Sequence, residues 1–265
     1  MMNEFKASSV VVAVVAALCV LASPRQALAD AVTITDSSWY GDSGITVTAA
    51  GSIYTGYPIG PQQVTITDLA NPSLSGYVQN VWCIDFTNDI GVPGTYSYSL
   101  VSFSASGLSS VAASLTAPEP AALLTTNTSA VAKINYLMAL GNYLLTPGQN
   151  GTYGSQSDIA SAIQIAIWEE LYAPNSYPGA SISYTGAPTI VSTDITAFLA
   201  DALNELSYQG TGYALISTSQ GPQQLAYTKA SVAPPPPHQV PEPGSLALLG
   251  SALAAFAAIR RRRSA

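Results

Sequence analysis

Cys83 and Gln164 are the residues of this chain best suited to react. Cys83 stands in Val81-Trp82-Cys83-Ile84-Asp85-Phe86. The chain has two cysteines, and Cys19 lies in an apolar N-terminal segment of the kind removed on export. The exported protein therefore keeps one thiol and cannot close an internal disulfide. A lone thiol in an oxidising compartment needs a reason. Three are open: a small buried hydrophobe on a strand, an intermolecular disulfide, or a partner elsewhere in the chain. Gln164 is the candidate partner. It sits in Ile159-Ala160-Ser161-Ala162-Ile163-Gln164-Ile165-Ala166-Ile167-Trp168, where only Ser161 and Gln164 are polar. A helix apolar on nearly every face is buried. Burying an unpaired amide costs roughly 1–3 kcal/mol. Gln164 must then have a hydrogen-bond partner or a chemical fate.

Positioning these two groups falls to an α+β domain. Ala31 to Asp36, Ile45 to Ala49, Gln63 to Leu69, Gly76 to Phe86 and Thr95 to Ser104 alternate, or carry β-branched and aromatic residues, as strands do. Gly60-Pro61, Asn71-Pro72 and Pro93-Gly94 punctuate them. Apolar spacing then predicts helices over Ser129 to Leu145, Ser155 to Tyr172 with Ser157 as N-cap, and Thr193 to Ser207 capped by Thr193 or Asp194. Gly212 to Ser217 and Gln223 to Thr228 return the chain to a sheet. The expected architecture is a single β-rich domain with a helical insertion. Gln164 would share a helix face with Ala160, Ile167, Trp168 and Leu171.

Charge and composition prune the chemistry. Between Asp30 and Ala230 there are thirteen carboxylates and two cations, Lys133 and Lys229, a formal charge of −11. Nucleic-acid binding requires a basic footprint, and this module has none. Anionic lipid is disfavoured for the same reason. The only histidine, His238, follows Pro234-Pro235-Pro236-Pro237, a stretch that reads as a stiff spacer. The module thus lacks a Ser-His-Asp triad, a Cys-His pair and the usual zinc sites. It has no Walker loop or dinucleotide fingerprint, and no cofactor is expected.

The strand motif Trp82-Cys83-Ile84-Asp85 and the helix motif Gln164-Ile165-Ala166-Ile167-Trp168 resemble the two halves of the thioester domains of bacterial surface adhesins. The match runs roughly from Ser52 to Tyr172, and the helix string is its more specific half. In that family a strand cysteine attacks a helix glutamine and expels ammonia. Carried over, the resemblance implies that Cys83 supplies the sulfur and Gln164 the acyl carbon of an internal thioester. Proximity and orientation would supply the rate, and the thiolate is the better nucleophile. Asp85 lies on the Cys83 face of a strand, where a carboxylate could take the thiol proton. Trp82, Phe86 and Trp168 would keep water from the bond or simply fill the core. Scarce lysine would limit self-attack by internal amines. The resemblance implies single-use capture of a target amine or hydroxyl, not turnover.

Both termini read as export devices. Lys6, the apolar run Val10 to Ala22 and Ala27-Leu28-Ala29 form a signal peptide over residues 1–29, cut before Asp30. At the other end stand Pro241-Glu242-Pro243, sixteen uncharged residues from Gly244 to Ile259, and Arg260, Arg261, Arg262 and Arg263. Sixteen helical residues span about 24 Å, slightly short of a hydrocarbon core of roughly 30 Å. The arginines hold the C-terminus in the cytoplasm. Residues 240–265 resemble the PEP-CTERM sorting signal. That resemblance implies signal peptidase and exosortase as processing partners, transient inner-membrane anchoring, then release to the cell surface or matrix. The layout is residues 1–29 leader, 30–230 extracellular module, 231–239 Pro-rich linker and 240–265 sorting signal.

Three functional readings follow: a covalent adhesin or matrix-linking protein; a non-covalent structural or glycan-binding surface protein with Cys83 and Gln164 in its core; and a hydrolase using Asp85 or Asp89 with Glu169 or Glu170. Bacterial extracellular polysaccharide and biofilm are the context that the sorting signal implies.

Overall fold

A computed structural model describes residues 30–49, 52–56, 58–68, 75–85, 93–111, 124–172, 182–205, 208, 210–217 and 223–234. Six strands close into an antiparallel barrel. In barrel order they are β1 (Asp30–Trp39), β4 (Gln62–Asp68), β5 (Val78–Cys83), β9 (Leu225–Thr228), β8 (Gly212–Ser217) and β6 (Gly94–Ser102). A small sheet joins β3 (Ser52–Tyr54), β2 (Thr46–Ala49) and β7 (Ser183–Thr185). Helices α1 (Ala105–Ser110), α2 (Thr128–Leu144), α3 (Gln156–Leu171) and α4 (Thr189–Asn204) come between β6 and β8, interrupted by β7. The α+β fold with a helical insertion is therefore present.

Alternation decides what fills the barrel. Residues paired across a ladder project to one face, and that face recurs every second residue. Val32, Ile34 and Asp36 of β1 are buried, as are Gln62, Val64, Ile66 and Asp68 of β4. Gln62 pairs with Val81, Cys83 with Leu225, and Leu225 with Leu215. Leu215 pairs with Leu100, and Tyr98 pairs with Val32, which closes the inner circuit. Cys83 and Tyr98 thus point into the barrel. Trp82, Ala226, Ala214 and Val101 take the opposite face, against the helical layer.

The helices are buried for the reasons their sequences give. In α3 every residue from Ile159 to Trp168 is buried. Its N-cap is Ser155, not Ser157. The Ser155 hydroxyl accepts from the Asp158 N–H, and the Asp158 carboxylate accepts from the Ser155 N–H, a reciprocal capping box. Helix α4 starts a turn earlier than expected, behind Pro188, with no side-chain cap. Asp194 is instead buried and accepts from the Gly154 N–H at 3.2 Å. Three short elements, β3, β7 and α1, were not anticipated.

No helix among the described residues is long and apolar enough to cross a membrane. The signal peptide, most of the Pro-rich linker, the sorting helix, Phe86 and Asp89 lie outside the described residues.

Candidate functional site

The ladder between β4 and β5 stops at Gln62–Val81. Two residues further along the same register, Gly60 would face Cys83. The strands fork there instead, and α3 fills the fork. Gly60 packs against α3, since a Cβ at Gly60 would stand 3.2 Å from the Ala160 Cβ. One turn along that face, the Gln164 side chain enters the gap. The Cys83 N–H donates to Gln164 Oε1 at 3.0 Å, and Gln164 Nε2 donates to the Cys83 carbonyl at 3.0 Å. The carboxamide thereby replaces the missing strand and satisfies the edge of β5 where β4 leaves it. On its other edge β5 continues to β9, with the Ile84 N–H donating to Gln224 O at 3.0 Å.

Water has no place at this contact. Gln164 is 0 % exposed and Cys83 4 %. Trp82 is wholly buried on the outer face of β5, against Gly141 of α2. Trp168 is buried one helical turn beyond Gln164. Ser161 fixes the nearby chain: its hydroxyl donates to Ile59 O at 2.7 Å and accepts from the Asp42 N–H at 2.8 Å. The chain at Gly41 and Gly60 needs glycine, because a Cβ there would stand 2.0 Å from Ile59 O and 2.4 Å from Tyr40 O respectively.

Beneath Cys83 the barrel interior is polar. Asp36 and Asp85 are buried at 1 % and 0 % exposure. The Tyr98 hydroxyl donates to Gln223 O at 2.8 Å, and Gln223 Nε2 donates to Asp85 O at 3.0 Å. Burial first, then the charges of Cys83, Tyr96, Asp36 and Asp85, hold the Tyr98 phenol far above its ordinary value. Tyr98 therefore stays protonated. Asp36 was not singled out from the sequence. Its signal was the alternation Val32-x-Ile34-x-Asp36, which puts a carboxylate on the inward face.

The carboxylates of the hydrolase reading are deployed otherwise. Glu170 pairs with Lys133 of α2 at 2.8 Å, both largely buried. Burial, then Glu170, raises the Glu169 carboxyl above the usual range. Asp85 is sealed. Two open cavities, of about 410 and 700 Å³, are lined by neither Cys83 nor Gln164. Among the described residues no group of three or more His, Cys, Asp or Glu could hold a metal.

Comparison with known proteins bears on the tail and the fold. Residues 239–263 match the PEP-CTERM protein-sorting motif. The motif implies export, exosortase processing and a surface or extracellular destination. The fold is similar to the N-terminal thioester domain of fibronectin-binding protein SfbI from Streptococcus pyogenes: 14 % identity, TM-score 0.41, covering 75 % of this chain and 98 % of that one. It is also similar to the N-terminal domain of the S. pyogenes pilus tip adhesin Cpa, at 13 % identity and TM-score 0.37, covering 75 % and 99 %. No curated protein matches in sequence.

Proposed function

We propose that this is an exported surface adhesin that joins a target covalently through an internal Cys83–Gln164 thioester. The paired hydrogen bonds between the Gln164 carboxamide and the Cys83 backbone carry the reading. They hold the acyl group beside the one thiol, within a dry interior. Cys83 Sγ attacks Gln164 Cδ, and the carbonyl π electrons move onto Oε1. The Cys83 N–H already donates to that oxygen and stabilises the charge developing there. The attack forms the C–S bond; collapse then restores the C=O bond and breaks the C–N bond. The thiol proton passes to the nitrogen, which departs as NH3. Asp85, buried two residues beyond Cys83, is the carboxylate assigned to relay the proton, with buried Asp36 the alternative.

Capture reverses the geometry. A target nucleophile takes the acyl carbon and returns the proton to sulfur, so the protein acts once and does not turn over. An amine gives back an N–H at the position of Nε2, where the Cys83 carbonyl can accept it. Methylamine is therefore the apt probe. The exported protein is expected to weigh one NH3 less than its sequence, to gain methylamine at Gln164, and to expose one thiol as it does so. Cys83→Ala abolishes all three. A wild-type mass with no NH3 deficit would overturn the reading and leave Gln164 as a strand-edge filler in a non-covalent surface protein. The target is matrix or surface material bearing an amine or hydroxyl, with extracellular polysaccharide the natural context.

A further inference from the structure

A second feature lies on the outer face of β4 and β5, away from the buried pair. A groove of about 700 Å³ is bordered by these strands, Asn142 near the end of α2, Thr228 at the end of β9 and Lys229 just beyond it. Three carboxamides belong to this face: Gln63, Asn80 and Asn142, while Gln79 borders the groove but pairs with inward-facing Val64. Two of them are already fixed. Gln63 accepts from the Ser38 hydroxyl at 3.2 Å and donates to the Tyr40 hydroxyl at 3.3 Å. Asn142 Nδ2 donates to Thr228 O at 2.7 Å and Ala230 O at 2.9 Å, which leaves its oxygen for a ligand. Beside them Tyr77 is 56 % exposed, an unusual state for a large aromatic ring. Lys229 Nζ stands 4.9 Å from its centroid and covers one face.

This lining selects a ligand chemistry. Each amide offers a donor and an acceptor in one plane, which suits paired hydroxyls. An exposed tyrosine offers a flat apolar face with a polar tip, which suits the C–H face of a sugar ring. Fixed side chains lose little freedom on binding. The groove lacks the deep apolar pocket that an aromatic or aliphatic peptide anchor needs. Charge decides between sugars: a module at −11 repels polyanions, and the groove's one cation is held over Tyr77.

We propose that this groove binds a neutral polysaccharide, with one pyranose on the open face of Tyr77 and adjacent hydroxyls on Asn80 and Asn142. Its use rests on the surface-adhesin reading, but the binding does not require Cys83 or Gln164. Asn80 lies three residues before Cys83 on β5, about 10 Å along the strand and on its opposite face.

Affinity electrophoresis of the exported protein tests this. Gels would carry hydroxyethylcellulose, galactomannan or dextran as neutral polymers, with polygalacturonate and gelatin as the acidic and peptide alternatives. At least one neutral polymer should retard the protein. Tyr77→Ala and Asn80→Ala should each weaken that retardation roughly tenfold, while Cys83→Ala leaves it unchanged. Retardation by polygalacturonate or gelatin alone, by none of the polymers, or equally in Tyr77→Ala would overturn the proposal. Loss of methylamine uptake would not touch it, so the two ideas fail separately.

Discussion

In the proposed condensation the thiol proton must travel from sulfur to the departing nitrogen, in a module whose sequence contains no histidine. Asp36 and Asp85 are buried acids whose charges, like that of Cys83, act on Tyr98. Folded from insoluble, uncondensed protein that never left the cytoplasm, Asp36→Asn and Asp85→Asn are expected to gain the NH3 mass deficit more slowly, by roughly 100-fold in whichever variant removes the relay. Melting midpoints measured alongside separate this from misfolding. Wild-type condensation rates in both variants would discard the relay. Cys83 and Gln164 were legible in the sequence because each breaks a pattern: a single thiol in an exported chain, and an amide in an apolar helix. Asp36 was legible only through its parity on β1. The anchoring by Ser161 was not legible at all, because its partners are backbone atoms of Ile59 and Asp42. Backbone groups carry no sequence signature.

At the scale of elements, Gly141 shows tertiary packing overruling local preference. Glycine inside a helix costs roughly 0.5–1 kcal/mol relative to alanine, so propensity alone favours Gly141→Ala. Yet the added Cβ would meet Trp82 Cζ2 at 2.5 Å and Cη2 at 2.9 Å. Overpacking of this kind costs about 1–3 kcal/mol, and the steric effect should win. Urea denaturation is expected to show a lower midpoint for Gly141→Ala; an unchanged or raised midpoint would mean that α2 does not press on Trp82 this closely. The same contest explains the displaced helix starts. Thr193 and Asp194 look like caps, but Asp194 is taken up by Gly154 and the helix begins earlier at Thr189. Long helices and strands were readable from their periodicity. The three-residue strands β3 and β7 were not, because so short a run shows no period and depends on its neighbours.

For the molecule as a whole, buried phenols set an alkaline limit. Burial holds Tyr98, Tyr136 and Tyr227 above their ordinary value near 10. A group whose pKa is raised by folding contributes stability below its unfolded value and loses it as pH rises. Stability should therefore fall above about pH 10. Tyrosinate absorbance and far-UV circular dichroism are expected to change together there. Full ionisation of all phenols near pH 10 without loss of the dichroism would contradict the burial of these rings. Closure of the main sheet has another outcome. Around the ring every strand has a neighbour on each side, and the open rims among the described residues belong to β3 and β7, three residues apiece. Such stubs are poor templates for another chain. Among the described residues, little bare β backbone is thus left for a second copy to pair with.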